Sequence, residues 1–129
     1  MATSLGDRVL FTGQVGRQEL EGWVANCAAL VQPSLYEGFG LPPLEAMACG
    51  RRVAVARTSS LPEVCGDAAT YFDPLDTGSI ARALEIVAWD SANEAADSQR
   101  RRAWARRFDW DLCAEATVQQ LAHAALRDA

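Results

Sequence analysis

Three features of this 129-residue sequence predict an α/β fold, a parallel sheet with helices on both faces and a helical C-terminus. Four short apolar runs have the length of strands: Val9-Leu10-Phe11, Ala29-Leu30-Val31, Val53-Ala54-Val55-Ala56 and Thr70-Tyr71-Phe72. Between them the apolar spacing becomes helical, since Leu20, Trp23, Val24 and Cys27 repeat at i, i+3, i+4 and i+7 and form one buried face. Half of the residues are hydrophobic, enough for one domain of this length to bury a core. Strands that alternate with helices are joined by crossovers, which give parallel pairs covered on both sides.

After the first strand and the Leu20 helix, the strand Ala29-Leu30-Val31 leads into the segment Tyr36-Glu37-Gly38-Phe39-Gly40-Leu41-Pro42-Pro43-Leu44-Glu45. Pro42 and Pro43 lack an N–H, but their fixed φ suits a first helical turn, so a helix is expected to start here with Glu45 in its first turn. It runs to about Cys49 and stops at Gly50, the residue type that best ends a helix. The third strand is followed by Ser60-Leu61-Pro62-Glu63, a Ser-x-x-Glu capping box that opens another short helix. Past Asp73-Pro74 the pattern is helical throughout. Ile80, Ala83, Leu84 and Val87 form a stripe behind a cap at Asp76 or Thr77, and a second helix spans about Glu94 to Phe108. Small residues between 91 and 98 mark the connection between these two. The last helix starts near Asp109-Trp110, with Trp110 as a packing anchor and Ala114, Val118, Leu121 and Ala125 on one face.

Composition excludes several classes. The net charge of −5 argues against a general affinity for nucleic acid. All twelve basic residues are arginine. There is no apolar run of membrane-spanning length, and the polar start Met1 to Asp7 is no signal peptide, so the expected location is cytoplasmic. Cys27, Cys49, Cys65 and Cys113 are far apart and read as buried free thiols, not as a disulfide or zinc set, and His123 stands alone. Asp109-Trp110-Asp111 spells an Asp-x-Asp, but Asp109 there is a natural N-cap, so no metal is expected. Arg100, Arg101, Arg102, Arg106 and Arg107 spread around more than one helical face, with Asp97 able to pair Arg101, and read as a solvated surface.

The segment from Tyr36 to Glu45 places two carboxylates around a glycine-bearing turn that enters a helix. Gly38 and Gly40 allow a ligand to approach the backbone, and the amides of residues 38 to 41 are positioned to hold an anion at the helix start. A dinucleotide fingerprint is excluded, because Pro43 stands where the third glycine would be.

With its flanks Gln32-Pro33-Ser34-Leu35 and Ala46-Met47-Ala48-Cys49-Gly50, this segment resembles the signature of the glycosyl transferase group 1 family. The resemblance extends from Thr12-Gly13 through Leu61 to Ala69 and on to Phe108-Asp109-Trp110. It implies retaining, nucleotide-sugar-dependent transfer on the GT-B fold, which pairs two Rossmann-like domains. The 129 residues are similar to the second half of the donor-binding domain, with the acceptor domain and the first part of the donor domain outside them.

The same resemblance assigns roles. Glu45 would accept hydrogen bonds from the ribose hydroxyls, the grip a Rossmann acid has on a ribose. Glu37 would be the catalytic residue, facing the transferred sugar to position it and to stabilise an oxocarbenium-like transition state. Gly38, Phe39, Gly40 and Leu41 would supply backbone amides to the sugar and the distal phosphate, with the Phe39 ring a packing group. Family members neutralise the diphosphate with an arginine and a lysine from earlier in the donor domain, and this chain has no lysine. The implied partners are a nucleotide-sugar donor, GDP-mannose among the candidates, and a glycan or lipid-linked acceptor. Peripheral membrane contact is expected only of a complete enzyme, and no cofactor is implied. Two alternatives stand beside this reading: a sugar-nucleotide binding module without transfer activity, and a Rossmann-type interaction protein.

Overall fold

The computed structural model describes residues 6–89 and 93–127. The expectations for Met1 to Leu5, and for Ser91 and Ala92 in the helix connection, lie outside these. Three strands, β1 (Ala29–Gln32), β2 (Arg52–Ala56) and β3 (Thr70–Phe72), form a parallel sheet in the order β1-β2-β3. Leu30 lies opposite Val53, and Ala56 opposite Phe72. Helix α1 (Arg17–Asn26) precedes the sheet, α2 (Leu41–Ala48) crosses from β1 to β2, and α3 (Leu61–Cys65) with a 3-10 turn (Gly66–Ala68) crosses from β2 to β3. Helices α4 (Thr77–Trp89), α5 (Glu94–Ala105) and α6 (Trp110–Arg127) complete the chain. The expected α/β fold is therefore present.

Burial follows from the middle position of β2. Val53, Ala54, Val55 and Ala56 are consecutive and all buried, so both faces of the strand are covered. Helices α2 and α4 both pack on it, and Met47, Leu61, Cys65 and Phe72 fill the space around it. Burial pushes the Cys65 thiol up to about 11, which leaves it a packing group with little thiolate character.

Helix α2 ends as its sequence requires. Gly50 has φ +76°, its amide donates to the Met47 carbonyl at 2.8 Å, and the Arg51 amide donates to Ala46 at 2.8 Å. These are the two bonds of a Schellman motif, which satisfy carbonyls the helix leaves open. Helix α5 packs against this end: Arg101 is buried, donates from Nε to the Gly50 carbonyl at 3.1 Å and pairs with Glu94. Glu94 also takes Arg52 Nε at 2.6 Å, so one carboxylate bridges two arginines drawn from β2 and α5.

Several expectations are corrected. Val9, Leu10 and Phe11 are exposed and form no strand, because among the described residues no neighbouring strand offers them a ladder. Of the α1 stripe only Val24 is buried, whereas Leu20 and Trp23 stay half exposed and Cys27 is partly covered. Asp97 pairs with Arg100 at 3.6 Å, leaving Arg101 to Glu94, since the Arg101 face of α5 turns inward. Helix α5 starts at Glu94 as expected but stops at Ala105, short of Phe108. Asp76 caps α4 through the Gly78 amide at 2.8 Å, and Asp109 caps α6 through the amides of Asp111 and Leu112 at 2.8 and 3.2 Å. Yet α6 buries no residue: Trp110 is 81% exposed, Cys113 is exposed, and Val118 and Leu121 point their apolar face to solvent. No helix of the described residues is long and apolar enough to cross a membrane.

Candidate functional site

β1 ends at Gln32 and the chain leaves the sheet through residues 33 to 40, so the glycine-bearing loop lies beyond the carboxyl end of a parallel strand. In open α/β sheets that is where ligands bind. Gly40 is the N-cap of α2 with φ +106°, a value that an L side chain rarely adopts, and a Cβ there would stand 2.8 Å from Leu61 Cδ2. Gly38 differs. Its φ is not positive and a Cβ would meet nothing within 4 Å, so the packing of this chain does not demand glycine there.

Three consecutive hydroxyl residues after β2 tie the loop down. Thr58 Oγ1 donates to the Ser34 carbonyl at 2.9 Å, and Ser59 Oγ donates to the Glu37 carbonyl at 2.6 Å. Ser60 Oγ bonds the carbonyls of Glu37 and Phe39 at 3.0 and 2.8 Å. The expected capping box is therefore absent: Ser60 does sit at the N-cap of α3, but its hydroxyl is spent on the loop and makes no cap bond. Ser59 holds φ +52°, alone in this among the described non-glycine residues. Among the described residues the amides of Gly38, Phe39, Gly40 and Leu41 have no hydrogen-bond partner; for Gly40 and Leu41 this is what the start of a helix leaves open.

Glu37 is half-buried at the lip of this loop. Its Oε1 accepts from Ser34 Oγ at 2.6 Å and from Gln32 Nε2 at 2.5 Å, and Gln32 Nε2 also donates to Ser34 Oγ at 2.9 Å. These bonds, Ser34's first and Gln32's second, favour the charged form and hold the carboxyl below the usual carboxylate range against a small opposing effect of burial. Gln32 and Ser34 stood in the sequence motif without a role; a serine two residues past the strand, three before an acid, is the pattern that marks it.

Glu45 is corrected in place. Because Gly40 is the N-cap, Leu41, Pro42 and Pro43 occupy the first three helical positions, and Glu45 falls in the second turn, where the helix dipole has faded. Its side chain is exposed and makes no hydrogen bond or close ion pair among the described residues, with only a weak attraction to Arg17.

Two clefts flank the loop. One of about 590 Å³, beyond β2 and β3, is lined by Leu35, Arg57, Thr58, Tyr71, Asp73 and Ser79. In it the Arg57 guanidinium lies 4.7 Å over the Tyr71 ring, whose hydroxyl donates to the Gly66 carbonyl at 2.7 Å and is pushed up to about 12 by burial. The other, about 650 Å³ and mostly apolar, lies between the start of α2 and the start of α6, where Phe39 meets Phe108 edge-on at 5.9 Å beside Leu41 and Trp110. The Phe39 ring is 43% exposed and part of the wall of this cleft. No group of three or more potential ligands that could hold a metal occurs among the described residues.

A family model described as glycosyl transferases group 1 matches residues 1–90, which contain the whole sheet and the loop. The chain belongs to the glycosyl transferase group 1 family. It is 41% identical over 111 residues to the O-antigen chain mannosyltransferase B of Escherichia coli, a match that covers 85% of this chain and 29% of that protein. It is 36% identical over 122 residues to a D-inositol 3-phosphate glycosyltransferase of Streptomyces avermitilis, covering 92% of this chain and 26% of the relative. Among solved structures, the sucrose-phosphate synthase of Thermosynechococcus elongatus superposes with a TM-score of 0.80 at 29% identity, over 98% of this chain and 32% of the synthase. This member of the group 1 glycosyl transferases thus has the fold of part of a GT-B domain and spans about a third or less of the proteins it matches.

Proposed function

We propose that this chain is the nucleotide-sugar-binding part of a retaining hexosyltransferase, the second half of its donor domain, acting in the cytoplasm. The observation that carries the reading is the braced loop: four amides leading into α2, without a partner among the described residues, set between the ionised Glu37 and the solvent-facing Glu45. Amides held in this way are preorganised donors for a diphosphate whose charge grows as the sugar leaves. Glu37 would meet the sugar and stabilise positive charge at its anomeric carbon; Glu45 would take the ribose hydroxyls. The similarity to mannosyltransferases favours GDP-mannose as donor and a glycan or lipid-linked hydroxyl as acceptor, with any membrane contact peripheral.

The test is calorimetric titration of GDP into the chain and into Glu45→Gln. The amide keeps the shape but offers one neutral acceptor, so affinity should fall some ten- to hundredfold, or about 1.5–3 kcal/mol. The melting temperature should barely move, because the Glu45 side chain is exposed and has only a weak attraction to Arg17 to lose among the described residues. Equal affinity in the variant, or no binding by either protein, overturns the assignment. The 129 residues by themselves are expected to transfer no sugar, as they contain no lysine to neutralise the diphosphate. Release of GDP from GDP-mannose at about 1 per second or faster in the presence of an acceptor would contradict this.

A further inference from the structure

We propose that Gln32 and Ser34 are positioning residues for Glu37, holding its Oε1 between them so that Oε2 is the oxygen presented to the hydroxyls of a bound hexose. The proposal rests on the donor-binding reading for its ligand, but its geometry stands without one. Gln32 Nε2 donates toward both Ser34 Oγ and Glu37 Oε1, at 2.9 and 2.5 Å. Ser34 accepts the first and sends its own proton to the same Oε1. The three side chains close a ring on Oε1, and Oε2 has no partner among the described residues.

An ionised carboxylate has about four lone-pair sites, and a carboxylate free to rotate would offer either oxygen to a ligand. Two bonds on Oε1 remove that freedom before a sugar arrives, which lowers the ordering cost of binding. They also decide what the group can do. Both bonds favour the charged form, so Glu37 is an acceptor and a negative charge, not a proton donor to the leaving group. Among the described residues no charged side chain contributes to this: the segment packed against the loop adds only the hydroxyls of Thr58, Ser59 and Ser60.

The test is a carbon-13 NMR titration of the Glu37 carboxyl in the chain itself, with Ser34→Ala, Ser34→Thr and Gln32→Leu beside it. The parent carboxyl should titrate below the ordinary glutamate range. Ser34→Ala should move the midpoint upward, Gln32→Leu should move it upward by less, and Ser34→Thr, which keeps the hydroxyl, should restore it. Backbone shifts of residues 36 to 40 should stay in place, since the bond from Thr58 goes to the Ser34 carbonyl and survives the substitution. An unshifted midpoint in both Ser34→Ala and Gln32→Leu overturns the proposal, as does a parent that titrates normally.

A ligand arm separates the two readings. Ser34→Ala should bind GDP as the parent does but GDP-mannose about tenfold more weakly, the loss of one charge-assisted contact to the sugar. Equal loss for both ligands would overturn the assignment of Oε2 to the hexose. If the parent bound neither, the donor-binding reading would fail while the titration still decided the positioning roles.

Discussion

Replacing Gly66 by alanine should lower the stability of the chain by about 3–5 kcal/mol and its melting temperature by roughly 10 °C or more. Two costs add. Gly66 has φ +49° and ψ −136°, a region nearly closed to residues with a side chain. A Cβ would also stand 2.1 Å from Cζ2 of Trp104, inside the ring and not beside a flexible end. The ring has little room to retreat, because Trp104 Nε1 donates to the Val64 carbonyl at 2.8 Å and Arg107 covers its face at 4.3 Å. A thermal melt of Gly66→Ala checks this, and the same substitution in a Trp104→Leu background separates the costs. There the steric share should vanish and only the backbone strain remain. A melt within 2 °C of the parent would show that α5 yields easily at this contact.

The second large effect is expected at Glu94. Its carboxylate is the counter-charge of Arg101, whose side chain is 7% exposed, and of Arg52, at 15%. In Glu94→Ala both guanidinium groups stay in place without it, and stranding a buried charge in this way costs about 3–5 kcal/mol. Arg52 keeps its bond to the Val87 carbonyl and Arg101 its bond to Gly50, so the arginines have partners but, among the described residues, no opposite charge in contact. Urea unfolding of Glu94→Ala should show the loss, and adding Arg52→Met should recover part of it by removing one stranded charge. A double variant less stable than Glu94→Ala would mean that Arg52 matters through its packing and not its charge.

How much of this the sequence disclosed differs from element to element. The three paired strands and the helices between them were legible, because buried parallel strands are short continuous apolar runs and the helical stripes have their own period. Val9-Leu10-Phe11 has the same local signal and makes no strand, since an apolar run gives a propensity and not a partner. The turn from β1 into α2, with Glu37, Gly38, Phe39 and Gly40 ahead of Leu41, was legible as a structural element from its glycines and prolines. Its supports were not. Ser60 has a local use as a cap and a distant use on the loop 21 and 23 residues away, and only the fold decides between them. Arg101 failed for a similar reason: its environment is Gly50 and Glu94, and no helical periodicity in an arginine-rich stretch reveals a carbonyl 51 residues earlier. The position of Glu45 turned on one residue, since moving the cap to Gly40 carries the acid from the first turn to the second.

The hydroxyls that brace the loop reach further than the atoms they touch. A trans peptide unit is a rigid plane whose C=O and N–H point in opposite directions, and no peptide bond among the described residues is cis. Ser59 and Ser60 draw the Glu37 carbonyl toward α3, which turns the Gly38 N–H the other way; Ser60 does the same to the Phe39 carbonyl and the Gly40 N–H. Two serine side chains on one side of the loop thus set the aim of two amides on the other, like a hand on the inner end of a lever.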